Sequence, residues 1–206
     1  MDELLPVGDT FTMPKISAPN LVLHREARRQ ELISAALELA MEEGANAVTV
    51  AAVAKKAGLA RTSIYEYFAS SADLIADLVI EELRYFNSRL TQAISVSEDP
   101  FEKIALWLEE GLHYAADGRH MLVKSLNAIG TSPARSEEIA QEHRALLAPL
   151  QGALVATGVK DPRTAGSFLA AISDTASVRI DSGADPEEQI ASAVEFALAG
   201  LRALVN

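Results

Sequence analysis

The chain has no cysteine. Disulfides and cysteine-based metal sites are therefore excluded. No apolar run approaches the roughly 20 residues that a membrane-spanning helix needs. The start, Met1-Asp2-Glu3, lacks the basic-then-apolar pattern of a secretory signal. These absences lead to the expectation of a cytoplasmic protein. Catalytic signatures are missing as well. There is no HExxH, no P-loop, no GxGxxG and no nucleophile motif. His113, His120 and His143 are dispersed, and Gly118 interrupts the helical register between the first two. The expectation is a non-enzyme with no cofactor and no metal.

Positive charge is also scarce. The chain holds 18 Lys and Arg against 29 Asp and Glu, a net charge of −11. The deficit is uneven. Residues 24–71 contain six basic side chains (Arg25, Arg28, Arg29, Lys55, Lys56, Arg61) and six acidic ones, so that segment is neutral. All of the excess acidity belongs to the remainder. Polyanion binding depends on local charge rather than on the molecular sum, so the N-terminal quarter stays eligible.

What the chain does have is alanine, leucine and helical periodicity. Hydrophobic residues make up 49% of it, ample for a buried core. Residues 1–23 carry Pro6, Gly8, Pro14 and Pro19 without periodicity. They read either as a flexible arm or as an extension upstream of a start at Met13. The first helix is expected over 25–43, from the spacing of Leu32, Ile33, Ala36, Leu37, Ala40 and Met41, with Gly44 as its stop. Thr49 is a plausible N-cap for a helix over 50–57, ended by Gly58. A third helix is expected over 61–68, weakly capped because Ala60 stands where a hydroxyl would serve. Ser70, Ser71 and Asp73 open a long helix to about Ile94. Further helices are expected over 100–116, 120–129, 133–157, 162–182 and 186–205. Asp161-Pro162 and Asp185-Pro186 each place a cap before proline at the first helical position. The fold class is all-α with about nine helices.

Two short helices joined by a tight glycine turn form a helix-turn-helix candidate. The second helix of such a unit presents its first turns to base edges. Arg61, Thr62 and Ser63 occupy that turn, and arginine can bridge guanine O6 and N7. Tyr65 and Tyr67 offer phenolic donors to phosphate. Thr49 offers a hydroxyl and an amide at a helix start, and Lys55 and Lys56 flank the turn with positive charge. From composition alone, a small helical core with solvated charges accounts for these residues equally well.

The pattern resembles a known family. Ala35-Ala36-Leu37-Glu38-Leu39, Gly44, Val48-Thr49-Val50, Val53-Ala54-Lys55-Lys56-Ala57-Gly58, Thr62-Ser63-Ile64-Tyr65-Glu66-Tyr67-Phe68 and Asp73-Leu74-Ile75 stand in order and at the right spacing. Residues 28–78 thus look like the N-terminal domain of the TetR family of bacterial transcriptional regulators. The resemblance covers roughly a quarter of the chain. It implies a homodimer, a palindromic operator, and release of DNA when a small molecule enters a second helical domain. Two positions depart from the family pattern. Ser71 stands where the family usually carries a phosphate-contacting lysine, and Glu66 occupies a site that is often basic or polar. Arg25, Arg28 and Arg29 are candidates to compensate.

Three parts are therefore expected: an arm over 1–23, a helix-turn-helix domain over 24–71, and a ligand-binding and dimerisation domain over 72–206. The resemblance implies a dimer face on the last two helices, through Phe168, Ile172, Val194, Leu198 and Leu201; on pattern alone, the same apolar stripes fit completion of the monomer core equally well. Trp107, Glu110, His113, Tyr114, Met121 and Asn127 are the candidate ligand-binding residues between the middle helices. The functional expectation is a ligand-responsive repressor that binds duplex DNA as a homodimer, without membrane association. The alternative is a small-molecule-binding or interaction protein of the same fold with weak or lost DNA binding.

Overall fold

The structure is a computed structural model and describes residues 18–205, with side chains from residue 22 onward. Among these residues there are eight α-helices and no strand: α1 (Ala18–Glu43), α2 (Val50–Lys56), α3 (Ser71–Ile94), α4 (Pro100–Ala116), α5 (Arg119–Ile129), α6 (Ser136–Ala156), α7 (Pro162–Asp181) and α8 (Pro186–Val205). Three short 3-10 helices, Ala45–Ala47, Ser63–Glu66 and Pro133–Arg135, lie between them. No described helix is long and apolar enough to cross a membrane.

Helix starts follow local chemistry. Thr49 accepts the Ala52 amide at 3.2 Å, and Ser70 accepts the Asp73 amide at 3.1 Å. Asp99 accepts the amides of Phe101 and Glu102 at 2.8 and 2.9 Å ahead of Pro100. Asp161 does the same for Arg163 and Thr164 at 3.1 and 3.0 Å ahead of Pro162. Each cap satisfies amides that have no partner inside the helix. The stop of α2 is equally local. Gly58 adopts φ +68°, Leu59 N donates to Ala54 O at 2.8 Å, and Gly58 N donates to Lys55 O at 3.2 Å. This is a Schellman ending, and the left-handed residue at its centre favours glycine.

Four expectations need correction. Helix α1 starts at Ala18 rather than near 25, so residues 18–23 of the expected arm are helical. Pro19 falls in the first turn, where a missing amide hydrogen costs no bond; the rest of the arm lies outside the described residues. Met41, assigned to the apolar face of that helix, is half exposed. The helix expected over 133–157 begins as a 3-10 turn and becomes α6 only at Ser136. The helix expected over 61–68 is a 3-10 helix of four residues, Ser63–Glu66, flanked by turns. Thr62 makes no capping bond, and Ile64, Tyr65, Tyr67 and Phe68 all lose side-chain freedom in an α-helix. Only at its end does α-type bonding appear: the Ile64 carbonyl accepts both Tyr67 N at 3.0 Å and Phe68 N at 3.1 Å.

One apolar core joins α1, α2, the Ser63–Glu66 segment (called the recognition turn after its expected role) and the first half of α3. Leu32, Ala36, Val53, Ile64, Phe68, Leu74 and Leu78 are all fully or almost fully buried in it. It continues past residue 71 into the rest of the chain through Leu122 and Leu126 of α5 and Leu146 of α6. A second core, around Ile104, Leu108, Leu154, Leu169 and Leu201, gathers α4, α6, α7 and α8. Helix α3 therefore belongs to both halves, packing on α1 at one end and on α4, α5 and α6 beyond it.

Candidate nucleic-acid interface

The Gly58 turn places the end of α2 beside the recognition turn. Thr49, Lys55, Arg61, Thr62 and Tyr65 are exposed there, while Ser63 and Tyr67 are half-buried. Lys55 and Arg61 have no carboxylate partner among the described residues. Lys56 is placed differently. Its ammonium lies 2.8 Å from Glu42 and 3.3 Å from Glu38 on α1. The hydrogen bond to Glu42, ahead of that to Glu38, holds it above the usual lysine range. Lys56 thus ties α2 to α1, and its charge is locally neutralised.

The arginines of α1 are also engaged. Arg25 donates from Nη2 to the main-chain carbonyl of Glu66 at 2.7 Å. Arg28 pairs with Glu31. Arg29 pairs with the buried Asp77 at 2.6 Å and with Glu26 at 3.3 Å. These three brace the recognition turn and α1 rather than standing free as extra phosphate contacts. Sequence reasoning missed this because each partner except Glu26 and Glu31 is remote in the chain. Glu66, the last residue of the turn, and Ser71, at the start of α3, are exposed.

The body of the molecule separates the six candidate ligand residues. Three lie on one stripe of α4. Trp107 donates from Nε1 to Leu146 O at 3.1 Å, Glu110 pairs with Arg89, and Tyr114 stacks on Phe86 with ring centroids 4.1 Å apart. Burial, followed by the charge of Glu82, keeps the Tyr114 phenol protonated well above the ordinary tyrosine range. His113 lies off that stripe, 3.9 Å from Glu187 of α8. Met121 and Asn127 are exposed on α5. None of the six lines the largest described cavity.

That cavity is a surface groove of about 720 Å³ between α7 and α8. Phe168, Ile172, Thr175, Phe196, Gly200 and Leu204 line it, with Leu201 at its base. Phe168 is 58% exposed and Phe196 72% exposed. Of the expected dimer residues, Phe168, Ile172 and Leu201 face this groove, whereas Val194 and Leu198 are not among its lining residues and Val194 packs against the body's own core. On α8 the sequence reading named Leu201, which lines the groove, and did not name Phe196 and Gly200, which line it too.

Residues 32–78 match the family model of bacterial regulatory proteins, tetR family. The fatty acid metabolism regulator protein of Bacillus subtilis is 27% identical over 99 residues, 48% of this chain and 51% of that protein. The HTH-type transcriptional regulator BetI of Brucella anthropi is 37% identical over 93 residues, 45% of each chain. These matches thus span about half the length of the curated relatives. The crystal structure of FadR from Bacillus subtilis in complex with stearoyl-CoA superposes with a TM-score of 0.67 at 25% identity, over 83% of this chain and 98% of that one. A TetR/AcrR-family regulator from Thermobifida fusca has the same fold, with a TM-score of 0.70 at 24% identity, over 84% and 98% of the two chains. Residues 32–78 thus match the N-terminal domain of tetR-family bacterial regulatory proteins, and the described chain shares the fold of the solved regulators of that family.

Proposed function

We propose that the chain is a ligand-responsive transcriptional repressor that binds a palindromic operator as a homodimer and is released by a small molecule. One observation carries the reading. The Gly58 turn sets two cations with no carboxylate partner among the described residues, Lys55 and Arg61, beside the exposed hydroxyls of Thr49, Thr62 and Tyr65. In this reading Arg61, Thr62 and Ser63 meet base edges, while Thr49, Lys55, Tyr65 and Tyr67 hold phosphates. Lys56 contributes only weakly, because Glu38 and Glu42 already hold it. Residues 24–71 act as the reader and 72–206 as the effector-binding and dimerisation part.

The homodimer reading is supported by the exposed apolar groove along α7 and α8. An isologous contact needs one self-complementary face, and two copies of this pair of helices supply it. Effector binding is assigned to the Trp107, Glu110 and Tyr114 stripe of α4, which faces α3 and α6. Stearoyl-CoA, held by the related FadR, is the first ligand to try.

Selection of duplexes from a random library tests the reading. The expected product is a pseudo-palindrome with half-sites about 34 Å, or a multiple of that, from centre to centre. A selected site without symmetry, or binding by a stable monomer, would count against a dimeric repressor. No enrichment at all would favour a ligand-binding protein that has lost DNA binding.

A further inference from the structure

Asp77 is only 4% exposed, on the stretch of α3 shared by the reader and the body. Both of its carboxylate oxygens carry an arginine. Oδ2 lies 2.6 Å from Arg29 Nη2 on α1, and Oδ1 lies 2.6 Å from Arg135 Nη2 in the 3-10 turn before α6. Each arginine leads further. The Arg29 guanidinium sits 5.8 Å from the centre of the Phe68 ring, which closes the recognition turn in the core. Arg135 also pairs with Glu138 of α6 at 2.8 Å, and Glu138 pairs with Arg84 of α3 at 3.1 Å. The same loop is held to the start of α3 by Ser132 N, which donates to Ala72 O at 3.2 Å.

A buried carboxylate is tolerated only while its partners compensate it, so losing one partner is costly. If the N-terminal end of α6 moves and draws Arg135 away, Asp77 is left with Arg29 alone. The carboxylate and Arg29 then reorganise together, and Phe68 rests against Arg29. Coupling of this kind needs a contiguous physical link between the two sites, and every link in the chain is present here.

We propose that Asp77 is a positioning residue that transmits displacement of α6 to the recognition turn, through Arg135 on one side and Arg29 against Phe68 on the other. The role of the turn rests on the DNA-binding reading above; the mechanical link does not.

Hydrogen exchange on the full chain without DNA tests the link. Arg135→Gln is expected to speed exchange of amides 63–68 about fivefold while leaving 162–205 unchanged. Arg135→Lys, which restores one charged donor, should return the rates toward those of the parent. Asp77→Asn, close to isosteric, should reproduce the Arg135→Gln pattern. Unchanged rates at 63–68, a uniform rise across the chain, or absence of rescue by lysine overturns the proposal. A second arm measures affinity for the selected duplex against salt. Arg135→Gln should weaken binding about fivefold with the salt slope unchanged, since Arg135 touches no phosphate. Unaltered affinity, or a slope reduced by about one, overturns the positioning role. If the parent chain binds no duplex, the repressor reading fails, and the exchange arm still decides the link.

Discussion

Arg25 and Glu66 are 41 residues apart, yet the guanidinium of one donates to the main-chain carbonyl of the other at 2.7 Å. The bond grips the last residue of the recognition turn from α1, so it fixes backbone rather than charge. Arg25→Ala should therefore weaken duplex binding by about 1 kcal/mol with little change in salt dependence. Lys55→Ala, which removes an exposed cation near the same turn, should flatten the salt dependence by about one unit of slope. Affinity titrations at several salt concentrations separate a brace from a phosphate contact.

Arg61 is the exposed cation at the start of the turn. Arg61→Ala should cost about 1–3 kcal/mol on the selected operator and much less on random duplex. Ser71→Lys should strengthen binding to both nearly equally and steepen the salt dependence by about one unit. Equal losses on both duplexes for Arg61→Ala would assign Arg61 to phosphate rather than to a base.

Phe196 is 72% exposed in the groove between α7 and α8. Phe196→Asp places a charge at the centre of the proposed dimer face without touching the monomer core. Light scattering should find a monomer with helix content equal to that of the parent. A dimer that survives this change would move the interface elsewhere.

Asp73 and Ser70 close the start of α3 together. Ser132 first, and Ser70 second, hold the Asp73 carboxyl below the usual carboxylate range. A depressed folded pKa adds stability above the unfolded value, and that stability disappears as the pH falls through the folded one. Ser70→Ala should cost about 1 kcal/mol near neutrality. Asp73→Asn should be destabilising near neutrality and approach the parent in strong acid. Denaturant midpoints at neutral and acid pH check both.

The parts of the fold legible in the sequence are those decided within a few residues. Thr49, Gly58, Ser70, Asp99-Pro100 and Asp161-Pro162 act on amides or carbonyls next to them, and each does what its type suggests. The recognition turn was misread because Ile64 and Phe68, four apart, satisfy a helical pattern that a tighter turn also satisfies when Phe68 is drawn into the core. The candidate site was half legible. Lys55 and Arg61 could be named from composition and spacing, but nothing local says that Lys56 bends back to Glu42 or that Arg29 reaches Asp77. Those pairings exist only once α1, α2 and α3 are packed. Phe196 was overlooked for a related reason: it lies off the main apolar stripe of α8, on its exposed side.

The stacked rings of Phe86 and Tyr114 occupy the space between α3 and α4. If an effector binds against Tyr114 as proposed, the rings must part to admit it. Its observed association rate should then rise with concentration and level off at the rate of ring opening. A plateau would mark the pair as a gate whose timing belongs to the protein, and substituting Phe86 by leucine should raise that ceiling while leaving the recognition turn untouched.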